Sequence, residues 1–260
     1  MDEWNGKPDP VVDLNAAIPA LGRPFRVPSH LANGAIEVLR GEYEPTPPPM
    51  SPAFALPRGA RILDVGANVG AFARWASTRF PTAVIESYEP NPRALPFLRE
   101  NVDGLRVAVH DVGVRATNGA APLHEGVLNL GEASFHLDAG GAKPDAGVVC
   151  RFVDAATLPD AALVKVDTEG CELEILERYL ATRDVVPMMV MLEFHRALDR
   201  LVLEELLELR GLYLVRGTIL SPNRGTLVFA RVRPPARALE PLEGERIADR
   251  CRVRAAPFAI

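Results

Sequence analysis

Acidic residues that close apolar runs are the groups in this chain best placed to do chemistry. Asp64 stands two residues before a glycine in "RILDVGANVGAFARWAS", and Glu89 closes "AVIESYEP". Asp167 and Glu169 follow "ALVKV", and Glu193 and His195 close "VVPMMVMLEFH". Short apolar runs of this kind read as buried strands. In an open α/β sheet, ligands and reacting groups gather beyond the carboxyl ends of the central strands.

The turn "DVGANVG" asks which ligand it holds. Gly66 and Gly70 bracket it, with Asn68 where a dinucleotide fingerprint carries its second glycine. That middle glycine lets the backbone approach a pyrophosphate, so its absence argues against NAD. A carboxylate at Asp64 would repel a pyrophosphate but suits a ligand carrying an ammonium and a sulfonium, as S-adenosylmethionine (SAM) does. Glu89, in "ESYEPNP" with Asn91, can accept hydrogen bonds from two ribose hydroxyls, a task common to NAD and SAM sites. Asp111 ends "VAVHD" and is placed to meet an adenine amino group, next to Val112. The competing reading of the turn is structural, a plain strand-to-helix connection in an α/β protein without a ligand.

Transfer from a sulfonium is an in-line displacement that asks for alignment of donor and acceptor, and for a base when the acceptor is a hydroxyl. Asp167 is expected to hold the SAM amino group, a cation or the acceptor, and Glu169 to accept a proton; the alternative for Glu169 and Glu172 is a pair of acids favouring a helix N-terminus. Glu193 and His195 lie on one side of their strand and read as a base with its orienting carboxylate. His136, in "GEASFHLD", is a rival base, whereas His30, His110 and His124 are less well placed. A second mechanism has a divalent cation, magnesium, manganese or a transition metal, held by Asp167, Glu193 and His195.

The elements that position these groups follow from the pattern. Ser29 is expected to cap a short helix with Leu31, Ala35, Ile36 and Leu39 on one face, and the proline-rich "EPTPPPMSPAFALPRG" reads as an extended connector. From Ala60, strand-like and helical runs alternate, which argues for a doubly wound, mostly parallel sheet covered by helices. The middle, from Gly113 to Asp160, breaks the alternation with short strand-like pieces around a loop. "YLVRGTIL" and "RGTLVFARV" form an antiparallel C-terminal hairpin. The expected division is an extension over 1–58, a catalytic domain over 59–233 and a tail over 234–260.

The chain has 260 residues, 48% of them hydrophobic, and a net charge of -5. That charge argues against a phosphate-backbone binder, so no nucleic-acid partner is expected. No apolar run reaches the length of a membrane span and the first residues lack the features of a signal peptide, so a cytoplasmic, non-membrane protein is expected. Cys150, Cys171 and Cys251 lack metal-ligand spacing and read as reduced thiols.

"ILDVGANVGAFA", "YEPNP" and above all "VKVDTEGCELEIL" together resemble the FkbM-type family of SAM-dependent methyltransferases, within the wider seven-stranded methyltransferase fold. The resemblance covers roughly Ala60 to Ala230, and "DTEGCE" stands where family members carry Asp-x-Glu-Gly-x-Glu. It implies SAM as donor, S-adenosylhomocysteine as product, and O-methylation of a small-molecule or sugar hydroxyl in secondary metabolism or glycan decoration. It departs at Val112, where family members commonly carry a small residue. A carboxylate or nitrogen acceptor, an NAD-dependent oxidoreductase and a noncatalytic SAM-binding scaffold are the rival readings. The long N-terminal segment is expected to cap the active site or to pair subunits in a homodimer.

Overall fold

Two short antiparallel strands, β1 (Val11–Asp13) and β2 (Arg26–Pro28), lead into helix α1 (Ala32–Leu39). A computed structural model describes residues 10–18, 22–44, 55–126, 129–134 and 144–231. Ser29 does not cap α1. It opens a 3-10 turn, Ser29–Leu31, whose first carbonyl accepts the Ala32 N–H, so the backbone supplies the bond expected from the side chain. The predicted apolar face does pack: Ala35 is buried with Phe25 and Val27, and Leu31, Ile36 and Leu39 close over them. Most of the proline-rich connector, His136, Cys251 and the tail over 234–260 lie outside the described residues.

From Arg61 the alternation is regular. Strand β3 (Arg61–Val65), helix α2 (Ala71–Arg79), β4 (Val84–Tyr88), α3 (Leu95–Asn101) and β5 (Val107–His110) form the first half. The irregular middle is a separate small sheet of β6 (Gly113–Arg115), β7 (Gly119–Gly126), β8 (Asn129–Ser134) and β9 (Pro144–Asp154), in the order β6-β9-β7-β8. The second half runs β10 (Leu163–Val166), α4 (Glu172–Ala181), β11 (Met189–Phe194), α5 (Ala197–Leu209), β12 (Tyr213–Ser221) and β13 (Arg224–Ala230). The main sheet has seven strands in the order β12-β13-β11-β10-β3-β4-β5, parallel except where β13 pairs antiparallel with β11 and β12.

Both faces of the central strands are covered, which is why β10 and β11 read as nearly continuous apolar runs. Alternation still sorts their side chains. Ile62, Leu163, Met189 and Met191 face one cluster with Phe72 and Trp75 of α2, while Leu63, Val164, Val190 and Leu192 face another with Ile175 and Leu176 of α4. On the first face, near the strand ends, the row turns polar: Asp64, Lys165, Glu193 and Thr226 are all buried. Lys165 is the register partner of Asp64, and Glu193 of Thr226.

The N-terminal segment is bonded to this frame. Asn101 of α3 accepts the Arg26 N–H at 2.8 Å and donates to the carbonyls of Arg26 and Val69. Arg216 of β12 donates to the carbonyls of Gly41 and Glu44 at 3.0 and 2.6 Å, and Thr226 donates to Glu42 at 2.5 Å. Residues 41–44 are thereby set over the carboxyl ends of β10 and β11 and the amino end of β13. Among the described residues no helix is long and apolar enough to cross a membrane.

Candidate active site

Gly66 follows β3 directly, with its N–H and that of Ala67 bonded to the Tyr88 carbonyl at 3.0 Å. Its φ of +77° is left-handed, and a Cβ there would lie 1.7 Å from the carbonyl oxygen of Asp167. Only glycine satisfies both demands. Asn68 takes the next left-handed turn at φ 47°, which asparagine tolerates better than most residues. Gly70 has a different task. It opens α2 at φ +88°, and a Cβ there would press on Leu98 and Val102, so it permits α2 to pack against α3.

A cleft with about 700 Å³ of open space lies beyond this turn. Gly66, Asn68, Glu89 and Asn91 form one wall, and Asp167, Thr168 and Glu169 one end. Pro90, Ala94, Val114, Leu123 and Phe152 supply its apolar lining. The Glu89 carboxylate is held in place by two backbone donors, Asn68 N–H on Oε2 and Asn91 N–H on Oε1, both at 2.7 Å. Burial pushes its pKa up to about 7, against the pull of those two hydrogen bonds. Each oxygen keeps a lone pair for a further donor.

A second cleft, with about 920 Å³ of open space, shares part of that turn and is lined on one part by the N-terminal segment. His30, Glu37, Glu42 and Tyr43 form its outer wall, and Lys165, Asp167, Glu169, Glu193 and Arg224 its floor. The two clefts share Gly66, Asn68, Asp167 and Glu169. The strand-end carboxylates therefore stand at the junction between them.

Several expected residues lie elsewhere than the sequence suggests. Asp64 has no exposed surface and lines neither cleft; it sits 3.3 Å from Lys165 Nζ and accepts from the Ser87 hydroxyl at 3.2 Å. Direct contact with a ligand's positive charge does not fit that burial. Lys165 carries the link instead, donating at 2.6 Å to the carbonyl of Gly66 and lying 3.6 Å from Asp167. Burial alone would lower its pKa, but the charges of Asp64 and Asp167 reverse this and keep it an ammonium. Asp111 points outward, 3.9 Å from Arg151, and Val112 packs into the core. The chain turns from β5 into the small sheet at that point, so the next two residues, Gly113 and Val114, line the cleft in their place.

Glu193 and His195 do reach one cluster, together with Glu169 and Glu172. His195 Nδ1 lies 3.1 Å from Glu172, and Nε2 lies 3.1 Å from Glu169 and 3.8 Å from Glu193. Burial alone would lower the histidine's pKa, but the hydrogen bond to Glu172 and the charges of Glu169, Glu172 and Asp167 carry it to about 10. The surrounding carboxyl groups thus favour the protonated ring, which weighs against His195 as the base. Burial pushes Glu169 up to about 8 and Glu193 up to about 7. Glu193 is also paired with Arg224, and Glu169 adopts a left-handed φ of 55°, rare for a glutamate.

Glu172 is a helix-terminus residue, as one reading had it, with a second function. Its buried Oε1 accepts the N–H groups of Thr168 and Gly170 at 2.9 Å as well as facing His195. It stiffens the loop that carries Asp167 and Glu169. Lys165 and Arg224 were not singled out from sequence. A lysine between valines in "LVKVD" was the available signal, since a buried strand lysine requires a partner. Of the weaker histidines, His110 bonds to Glu86 at 2.7 Å and stacks on Tyr88, whereas His30 lines the second cleft. Cys150 and Cys171 are buried thiols, Cys171 against the first cleft, where burial raises its pKa to about 12.

The sheet order, the antiparallel β13 and a glycine turn beside an acid at the second strand's end define the Rossmann-like fold of methyltransferases. The profile of the methyltransferase FkbM domain matches residues 64–213, and the chain belongs to that family. It is 29% identical over 151 residues to the hexuronic acid methyltransferase AglP of Haloferax volcanii, a match covering 53% of this chain and 57% of that protein. It is 27% identical over 159 residues to the cobalt-precorrin-6B C(15)-methyltransferase (decarboxylating) of Salmonella typhi, covering 55% of this chain and 81% of that protein. A solved structure, the precorrin-6y C5,15-methyltransferase of Geobacter metallireducens, superposes with a TM-score of 0.43 at 16% identity, over 70% of this chain and 84% of that one.

Proposed function

We propose that the protein transfers a methyl group from SAM to a hydroxyl of a small, sugar-like molecule, with the donor in the first cleft and the acceptor in the second. The observation that carries this reading is the junction of two clefts at Gly66, Asn68, Asp167 and Glu169. In-line transfer requires donor and acceptor to meet from opposite sides. The first cleft fits SAM on two counts: the Gly66–Asn68 turn along its wall, and a backbone-anchored Glu89 with lone pairs for ribose hydroxyls. Bound there, SAM supplies an electrophilic methyl group on a sulfonium.

The chain's own residues do the rest. Val114, Leu123 and Phe152 cover a flat apolar ring, and Asp167 accepts the donor's ammonium. Glu169 lines both clefts, and in its ionised form, favoured as pH rises towards about 8, it takes the hydroxyl proton as the oxygen attacks. Lys165 holds the Gly66 carbonyl and so fixes the cradle relative to Asp167. Glu37, Glu42, Asp167, Glu169 and Glu193 all line the second cleft. Such a lining, with Lys165 and Arg224 beside the acids, offers both acceptors and donors to the hydroxyls of a sugar-like acceptor.

The test incubates the purified chain with methyl-labelled SAM and a panel of neutral sugars, uronic acids and amino sugars. Label that survives alkaline hydrolysis as a methyl ether is expected. Alkali-labile label on uronic acids would transfer the reading to carboxylate methylation, and absence of S-adenosylhomocysteine binding by calorimetry would end it.

A further inference from the structure

Asp167, Glu193 and His195 follow or end two neighbouring parallel strands, β10 and β11, and each offers a ligand atom within 4.8 Å of the other two. We propose that these three side chains hold a divalent cation of the manganese or magnesium class, at the floor of the second cleft. Its binding rests on these residues and on the group that orients the histidine. Its role, fixing two oxygens of a polyhydroxylated acceptor beside the reacting hydroxyl, rests on the reading of that cleft as the acceptor site.

The histidine's surroundings set the site apart from an ordinary group of acids. Glu172, with 1% of its side chain exposed, faces Nδ1 at 3.1 Å. Thr168 N–H, Gly170 N–H and the Thr168 hydroxyl fix that same carboxylate oxygen. A carboxylate on the far nitrogen is how proteins orient a metal-binding imidazole. The ring is thus set with Nε2 towards Asp167, Glu169 and Glu193. Nε2 has no exposed surface and makes no hydrogen bond of proper geometry, even with Glu169 Oε2 3.1 Å away.

The donor set favours an ion. Four carboxyl groups, those of Asp167, Glu169, Glu172 and Glu193, gather around His195 and Arg224, while Lys165 is matched by Asp64. Carboxyl oxygens converging on one imidazole form a donor set that suits a divalent ion. Carboxylate oxygens suit magnesium and manganese, and the imidazole tilts the choice towards manganese. Open coordination positions would face the cleft that Asp167 and Glu193 line.

The test titrates the full chain, stripped with EDTA and desalted, with manganese chloride, following the loss of the free-ion electron paramagnetic resonance signal. Affinity of the parent for S-adenosylhomocysteine is measured in parallel, and the thermal melting of each variant checks its folding. One ion per chain is expected, bound at least tenfold more weakly in Asp167→Asn, Glu193→Gln and the orienting variant Glu172→Gln. Asp111→Asn, an outward acid elsewhere, is expected to bind as the parent does. Absence of a stoichiometric site, or unchanged binding in both Asp167→Asn and Glu193→Gln, overturns the proposal. S-adenosylhomocysteine binding without manganese binding defeats the ion site alone, and the reverse result defeats the donor cleft alone.

Discussion

Replacing Glu89 with glutamine removes a carboxylate whose ionisation the fold opposes and whose charge the donor cleft uses. Burial raises its pKa from 4.5 to about 7, so the folded chain holds this proton where the unfolded chain has lost it. Stability from this group therefore falls as pH rises from the unfolded value through the folded one. The penalty is about 1 kcal/mol at pH 5 and about 3 kcal/mol at pH 8, a difference of about 2.5 kcal/mol. Glutamine carries no such penalty, but it turns an amide NH₂ against one of the two backbone donors, Asn68 or Asn91, at a cost of about 1–3 kcal/mol at every pH. Relative to the parent, Glu89→Gln should thus gain about 2.5 kcal/mol between pH 5 and pH 8, whatever its stability at either end. Urea denaturation of the ligand-free protein at both pH values measures this. Calorimetry at pH 8 should find S-adenosylhomocysteine bound at least tenfold more weakly, from the loss of a charged acceptor worth about 1.5–3 kcal/mol. A stability difference independent of pH would refute the burial argument, and undiminished affinity would refute the placement of the ribose.

Gly66→Ala should abolish S-adenosylhomocysteine binding, because its Cβ would fall 1.7 Å from the Asp167 carbonyl; a calorimetric titration matching the parent's would remove the turn from the site. Lys165→Met leaves Asp64 buried without its cation and should cost about 3–5 kcal/mol in urea denaturation, with much of that regained in Asp64→Asn/Lys165→Met. No recovery in the double variant would mean that Lys165 acts through the Gly66 carbonyl alone. Arg216→Ala frees residues 41–44 from β12, and should raise the acceptor's KM while leaving S-adenosylhomocysteine affinity unchanged; equal losses in both would show that the segment supports the donor cleft.

Local pattern carried the frame of this protein. Apolar runs ending in acids or glycine specified β3, β4, β10 and β11 and placed Gly66, Glu89, Asp167 and Glu169 at their ends, because strand burial and the strand-to-helix turn are both written in adjacent residues. Alternation along "LEFH" put Glu193 and His195 on one side for the same reason. Tertiary structure decided what those groups became. Asp64 and Lys165 are far apart in the chain and pair only through the β3–β10 register, which moves Asp64 from the ligand to the frame beneath it. Glu169 and Glu172 arrive beside His195 from the neighbouring loop and helix and favour its protonated form, because the proton's free energy depends on that assembled field. The small sheet likewise replaces Asp111 and Val112 with Gly113 and Val114 at the cleft wall. Sequence names residues that can carry charge; their protonation and partners depend on distances that only the packed chain sets.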